Sequence, residues 1–365
     1  MTNLNYFLFL GPLLLSFLLA LLATPLAIKI AWKFNLIDDP KKQKRSNVTH
    51  TYPVPRNGGL PIFIALFISA LIFLPADKHL FGILLGAFLA TVVGVLDDRF
   101  NLSPYFRLLT CFACAAAVVG AGIGIAFVSN PFGGIINLSH PQISFTFLGQ
   151  TRTIWILSSL FALFWIVWCM NFIGWSGGVE GQLPGFVAIA AITIGLLSFR
   201  FSADITQWPV IILAAITAGA YLGFLPYNFY PQKIMPGYGG KSLAGFLLAT
   251  LSILATAKVG TLIIVLGIPL IDAFYSLLRR LLAGRSPVWG DRGHLHHRLL
   301  DLGLSKRKVA IFYWLVTAIL GILALNLNSE QKFYTIIMLA VLFGGFLLWI
   351  NYFTKSRSPQ DQSNG

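Results

Sequence analysis

A single carboxylate inside an apolar helix is the first feature of this sequence with chemistry in it. Asp272 sits in GIPLIDAFYSLL, and Arg279 and Arg280 follow two turns later. A loop bearing Gly284 and Pro287 then leads to Asp291, Arg292, His294, His296, His297 and Arg298. An isolated carboxylate in hydrocarbon is costly, so it marks a site. At 1.5 Å rise per residue it lies about 10 Å inside the membrane from the arginine pair, within reach of a water-filled mouth on their side. Histidines among basic residues suit an anionic, phosphate-bearing ligand. Zinc is the competing reading of a His-rich tract. However, HLHH has no Cys companions, and His296 and His297 are adjacent, a poor start for a tetrahedral ion.

Asp97 and Asp98 close an apolar run in VGVLDDRFNLSPYFRLL. Adjacent carboxylates raise each other's pKa unless a cation offsets them. Mg²⁺ does so where the substrate is a phosphate. The plain alternative is a solvated helix end, and Asp272 on the same side favours the metal. The stretch Asn171–Gly185 carries glycine at 174, 177, 178, 181 and 185, which lets backbone N–H groups approach a ligand. Asn171 and Glu180 add acceptors there, and Trp175 suits stacking on a base or sugar. In MPGYGGKSLAG, Lys241 is either a ligand-binding cation or a topology anchor. Asn228, between Pro226 and Pro231, reads equally as a ligand group or a helix cap.

The elements that position these residues are membrane helices. Charged residues make up 10% of the 365-residue chain and hydrophobic ones 57%, with several runs long enough to span a bilayer. The expected fold is an all-α polytopic membrane protein of about 11 transmembrane helices. They fall near 6–30, 58–75, 79–96, 105–128, 153–170, 184–199, 208–226, 242–257, 259–278, 309–326 and 333–353. The first lacks a basic leader and is too long for a cleaved signal, so it reads as a retained span. Residues 1–353 form one domain in this reading, and 354–365 a polar cytoplasmic tail.

With the N-terminus outside, only Lys78, Arg152, Arg200, Lys258 and Lys332 of the 26 Lys and Arg face out. Segment 35–59, the Asp97–Arg99 turn, 171–182, 226–241 and 291–301 then share the cytoplasmic face. The largest outer loop, 129–151, alternates as a small β-hairpin. Cys111, Cys114 and Cys169 lie in apolar runs and read as core residues. The basic excess follows from topology; no contiguous basic face with aromatic readers points to nucleic acid.

Together these residues resemble the polyprenyl-phosphate N-acetylhexosamine-1-phosphate transferase family. The similarity runs from about Asp38 to Gly303, in the family's motif order: DDP…H…PVPRNGG, LDDRF, PLIDAF and GRSPVWGDRGHLHHRLLDLG. It implies transfer of a sugar 1-phosphate from a UDP-sugar to a membrane polyprenyl phosphate, with release of UMP and with Mg²⁺, at a bacterial inner membrane. It also leaves room for a homodimer. It makes Asp97 and Asp98 acceptor-activating or metal-associated carboxylates and Asp272 a Mg²⁺ ligand with Asp98. His294, His296 and His297 fall near the phosphates. Asn171, Glu180, Asn228, Lys241, Arg292 and Arg56 are assigned to substrate binding.

The chain also departs from the pattern. Where the family usually reads N-x-x-N-x-x-D-G-x-D-G-L, this sequence has Gly174, Gly177, Glu180 and Gln182. Where it usually reads G-D-x-G-S, Tyr238 and Lys241 replace the Asp and the Ser. The histidine loop and paired Asp are intact, which favours a working enzyme with an altered donor pocket, suited to an extra anionic or stackable group. The competing readings are a non-catalytic polyprenyl-phosphate scaffold and a transporter. Absence of an internal repeat disfavours the transporter.

Overall fold

The computed structural model describes residues 3–41, 49–130, 134–147, 150–255, 258–284, 286 and 293–355. Its helices are α1 (Asn3–Lys33), α2 (Gly59–Phe73), α3 (Lys78–Phe100), α4 (Pro104–Gly120), α5 (Ile156–Ser176), α6 (Gln182–Phe199) and α7 (Gln207–Asn228). They continue as α8 (Gly237–Leu254), α9 (Lys258–Val265), α10 (Gly267–Leu282), α11 (Leu295–Asp301), α12 (Lys306–Asn326) and α13 (Ser329–Lys355). Three two-stranded antiparallel pairs complete the order. They are β1 (Ile37–Asp38) with β2 (Val54–Pro55), β3 (Phe127–Ser129) with β4 (Ile135–Asn137), and β5 (Gln142–Phe147) with β6 (Gln150–Trp155).

Among the described residues seven helices are long and apolar enough to cross a membrane, or eight if the α9–α10 pair is one span. This is a multi-pass membrane protein. Two of the expected spans differ in the structure. Segment 259–278 is broken at Leu266 and bent by 86°; Gly267 and Pro269 follow the break and suit the interruption. Helix α4 stops at Gly120 instead of running to 128, because Gly122 takes a positive φ of 95° and the chain then enters β3. Helices α2 and α4, at 15 and 17 residues, are short for a span.

Chain order puts one set of ends together. The C-terminal ends of α3, α5, α7 and α10 lie with the N-terminal ends of α4, α6, α8 and α12. Short connections reverse the chain at the first three of these pairs. Caps fix two of these ends, with Ser103 accepting from Phe106 N at 3.3 Å and Ser305 from Lys308 N at 3.4 Å. The β1–β2 pair is joined to the start of α8 by Met235 N donating to Pro55 O at 2.7 Å and Gly58 N to Met235 O at 3.0 Å. Gly94 allows α3 and α8 to touch: a Cβ there would lie 2.2 Å from the Gly239 Cα. The contact holds the last turn of α3 against the first turn of α8.

Candidate active site

That contact assembles the paired carboxylates. Asp97 is fully buried and accepts from Arg107 Nε at 2.6 Å, with Arg56 Nη2 3.8 Å from its other oxygen. Asp98 Oδ1 accepts from the backbone N–H of Tyr238 at 3.1 Å and lies 3.3 Å from Arg56 Nε. Gly237 makes this approach possible. Its φ is +66°, and a Cβ there would fall 2.1 Å from Asp98 Oδ2. Arg56 is aimed by β2, whose register sets Asp38 opposite Val54. Arg107 is aimed by the Ser103-capped first turn of α4.

The histidines form a row. His294 and His296 are parallel at 5.7 Å and 6°, and His297 lies 4.3 Å from His296. Asp272 holds one end of the row: Oδ2 pairs with His294 Nδ1 at 3.0 Å and Oδ1 accepts from Leu295 N at 2.8 Å. Ser276 Oγ lies 3.3 Å from the same His294 nitrogen. This leaves His294 Nε2 for the cavity. His296 needs Gly178, where a Cβ would sit 2.0 Å from its Nε2. Burial first, then the charges of His297, His294 and Lys241, hold His296 well below the usual histidine pKa. It is a neutral imidazole at neutral pH.

One cavity of about 990 Å³ joins these parts. Its polar end is lined by Asp38, His50, Arg56, Asp97, Arg107, Asn171, Lys241 and the three histidines. Its apolar end runs along α5, past Phe161, Phe164, Trp168 and Trp175 to Val259 and Ile263 of α9. Phe164 is 58% exposed and Phe161 38%, so this face of α5 is open. Trp168, Phe172 and Trp175 continue as an aromatic ladder, with centroids 4.9 and 5.2 Å apart. A third corner holds Glu180, Asn228 and Gln232.

The structure therefore brings together Asp97, Asp98, Arg56, Asn171, Glu180, Asn228, Lys241 and the three histidines, but it changes several roles. Asn228 is a brace: it accepts from Gly181 N at 3.0 Å and donates to Gln232 Oε1 at 3.2 Å and Ile234 O at 2.9 Å. Glu180 is paired with Lys306 at 2.6 Å. Asn171 donates to Val167 O at 2.8 Å and faces the cavity. Lys241 has Arg56 and Arg107 as like-charge neighbours and Asp98 and Asp38 as opposite ones. Arg292 lies outside the described residues. Arg107, Lys306, Asp38 and His50 were not anticipated as site residues. Arg107 carries the clearest missed signal, an arginine one turn into an apolar helix.

Asp272 and Asp98 are the residues that the resemblance assigns to Mg²⁺. Asp272 and Asp98 do not line the cavity. Both oxygens of Asp272 are used to hold His294 and the start of α11. Asp98 is spanned by Arg56 and the Tyr238 N–H, Asp97 by Arg107, and Glu180 by Lys306. Among the described residues no three His, Cys, Asp or Glu side chains converge as a metal site. Mg²⁺ takes one or two carboxylates along with phosphate oxygens; Asp97, Asp98 and Glu180 already have fixed cations, and Asp272 is held by His294 and Leu295. As they are engaged here, Asp97, Asp98, Glu180 and Asp272 do not fit a resident Mg²⁺.

Comparison with known proteins agrees with the motif order. A family model for glycosyl transferase family 4 matches residues 80–256. The "Probable undecaprenyl-phosphate N-acetylglucosaminyl 1-phosphate transferase" of Bacillus subtilis is 29% identical over 336 residues, covering 90% of this chain and 87% of that protein. The decaprenyl-phosphate N-acetylglucosaminephosphotransferase of Mycolicibacterium smegmatis is 27% identical over 323 residues, covering 80% and 75%. The undecaprenyl-phosphate alpha-N-acetylglucosaminyl 1-phosphate transferase of Escherichia coli O157:H7 is 26% identical, covering 88% and 85%. Over residues 80–256 the chain matches glycosyl transferase family 4, and its similarity to these polyprenyl-phosphate transferases runs over most of its length.

Proposed function

We propose that this chain transfers a sugar 1-phosphate from a UDP-sugar to a membrane polyprenyl phosphate of the undecaprenyl type, releasing UMP. N-acetylglucosamine, the sugar named for the relatives, is the first donor to try. The observation that carries this reading is the two-part cavity. An open aromatic face along α5 leads directly into a cluster of Arg56, Arg107, Lys241 and three histidines. A polyprenyl phosphate has the same division: a long apolar chain ending in an anion. The paired helices α9 and α10, taken with α2, α4 and α8 as crossing segments, bring the spans to eleven. The site then lies on the cytoplasmic face of a bacterial inner membrane and the β5–β6 pair outside.

In this reading an oxygen of the acceptor phosphate attacks the donor's β-phosphorus. A new P–O bond forms as the bond from that phosphorus to the UMP oxygen breaks, and UMP leaves with the electron pair. Two dianions enter and two leave, so no proton or electron is left over. Such a step asks for alignment and charge neutralisation. Arg56, Arg107 and Lys241 supply fixed positive charge beside Asp97. His294, steadied by Asp272, presents Nε2 to the phosphates. Trp175, at the junction of the aromatic ladder and the glycine turn, suits stacking on the uracil or the sugar.

The test is purified protein in detergent with undecaprenyl phosphate and a panel of UDP-sugars, following UMP. Release that needs both lipid and donor supports the reading. Lipid-phosphate binding with no UMP from any donor would leave the scaffold reading in its place.

A further inference from the structure

We infer that Lys241, acting with Arg56 and Arg107, takes the place of a divalent cation, so that this site binds and neutralises a diphosphate without metal. The inference rests on the transferase reading above and deepens it. It begins with the paired carboxylates Asp97 and Asp98, each of which has a protein cation beside it. Arg107 Nε is 2.6 Å from Asp97, and Arg56 reaches both Asp97 at 3.8 Å and Asp98 at 3.3 Å. A Mg²⁺ ion entering here would have to displace guanidinium groups that are themselves held in place. Arg56 is fixed through β2 and Arg107 through a capped helix turn, and both side chains are largely covered.

Lys241 completes the arrangement. It stands one turn after Tyr238, on the same face of α8, and lines the cavity with Asp38, Arg56 and Asp97. Among the described residues its ammonium has no hydrogen-bond acceptor, although Asp98 and Asp38 are within electrostatic reach. A cation with three donors, opening on a cavity and unclaimed by protein oxygen, is a phosphate ligand in waiting. The first turn of α8 adds its N-terminal partial charge, already used by Asp98 through the Tyr238 N–H.

Charge counting supports the exchange. Against the usual G-D-x-G-S turn, Tyr238 removes one negative charge and Lys241 adds one positive charge. The turn is thus two units more positive, the charge of one Mg²⁺. The two substitutions lie on one face of one helix turn, beside the paired aspartates. They replace a diffusible dication by charge that is part of the chain. Fixed charge needs no capture from solution and does not reorganise during the reaction.

The experiment is binding of UDP, as a diphosphate probe, to the purified protein in detergent, by calorimetry, in excess EDTA and in Mg²⁺. The expected result is a Kd that differs less than twofold between the two conditions. Lys241→Ser should weaken UDP at least tenfold in EDTA, and Mg²⁺ should recover part of the loss. Wild-type binding that tightens tenfold or more with Mg²⁺ overturns the inference, and so does no UDP binding in either condition. Unchanged binding by folded Lys241→Ser in EDTA also overturns it. The wild-type arm decides even if the serine variant does not fold. Parallel UMP release separates the two readings. Turnover that requires Mg²⁺ sinks the inference and leaves the transferase standing. Metal-free UDP binding with no turnover on any donor does the reverse.

Discussion

Gly178→Ala tests the histidine row directly. The added methyl would sit 2.0 Å from His296 Nε2 and 2.6 and 2.7 Å from two ring carbons. Ordinary contact begins near 3.4 Å, so the ring has to move by about 1.4 Å. It has nowhere to go, being 1% exposed and packed between His294 and His297. Overpacking of this kind costs about 1–3 kcal/mol. A catalytic group displaced by about 1 Å loses on the order of a hundredfold in rate. Gly178 has no positive φ, so alanine introduces no backbone strain and the test is purely steric. Gly174→Ala is the internal control. Its Cβ meets only Lys241 Cβ, at 3.7 Å, which is ordinary contact. UMP release should therefore fall about a hundredfold in Gly178→Ala and stay within about threefold of wild type in Gly174→Ala. Equal turnover in the two variants would refute the placement of His296 against Gly178.

Three further outcomes are expected. Lys306→Met leaves Glu180, 2% exposed, as an uncompensated buried charge. Thermal unfolding should show a loss of about 3–5 kcal/mol, most of it recovered in the Glu180→Gln/Lys306→Met double variant; no recovery would mean that the pair is not coupled. His296 has a folded pKa below its unfolded one. Its share of stability is therefore present above about pH 6.5 and is lost as the pH falls below that value, by up to about 1.4 kcal/mol per unit. His296→Gln should flatten that part of the melting curve, and an unchanged pH dependence would contradict a buried neutral imidazole. Asp272→Asn keeps an acceptor for Leu295 N but sets an amide against His294 Nδ1. UMP release should fall by about 10²–10⁴ with folding intact, and wild-type turnover would remove Asp272 as the group that orients His294.

Much of the site could be read in advance because charge is scarce in this chain. Asp97, Asp98, Asp272 and the histidines stood out against apolar surroundings, and burial of charge in hydrocarbon demands a reason. What sequence could not supply was the partner of each. Asp272 stands alone in the sequence, and only the fold shows α11 beginning against it. Asn228 looks like a cap, and its bonds to Gly181, Gln232 and Ile234 depend on a loop folding back six residues later. Lys306 resembles the basic anchors that collect at any membrane surface, so nothing local separated it from Lys308. The break at Leu266 was signalled by Gly267 and Pro269, yet the apolar run continues through it, and hydropathy alone reads one span.

Arg298 adds a consequence for the lipid around the protein. Its Nη1 donates to the Leu347 carbonyl of α13 at 3.0 Å, while its Nε holds Gly293 O at 2.9 Å. The helix that carries His296 and His297 is thus footed on α13, whose most apolar stretch is only 22% buried within the protein. A slide of α13 by one residue, about 1.5 Å, would carry that acceptor away. Bilayer thickness sets where such a helix rests. Turnover in nanodiscs of graded acyl length should therefore track lipid thickness, and the surrounding membrane becomes a regulator of the chemistry it supplies with substrate.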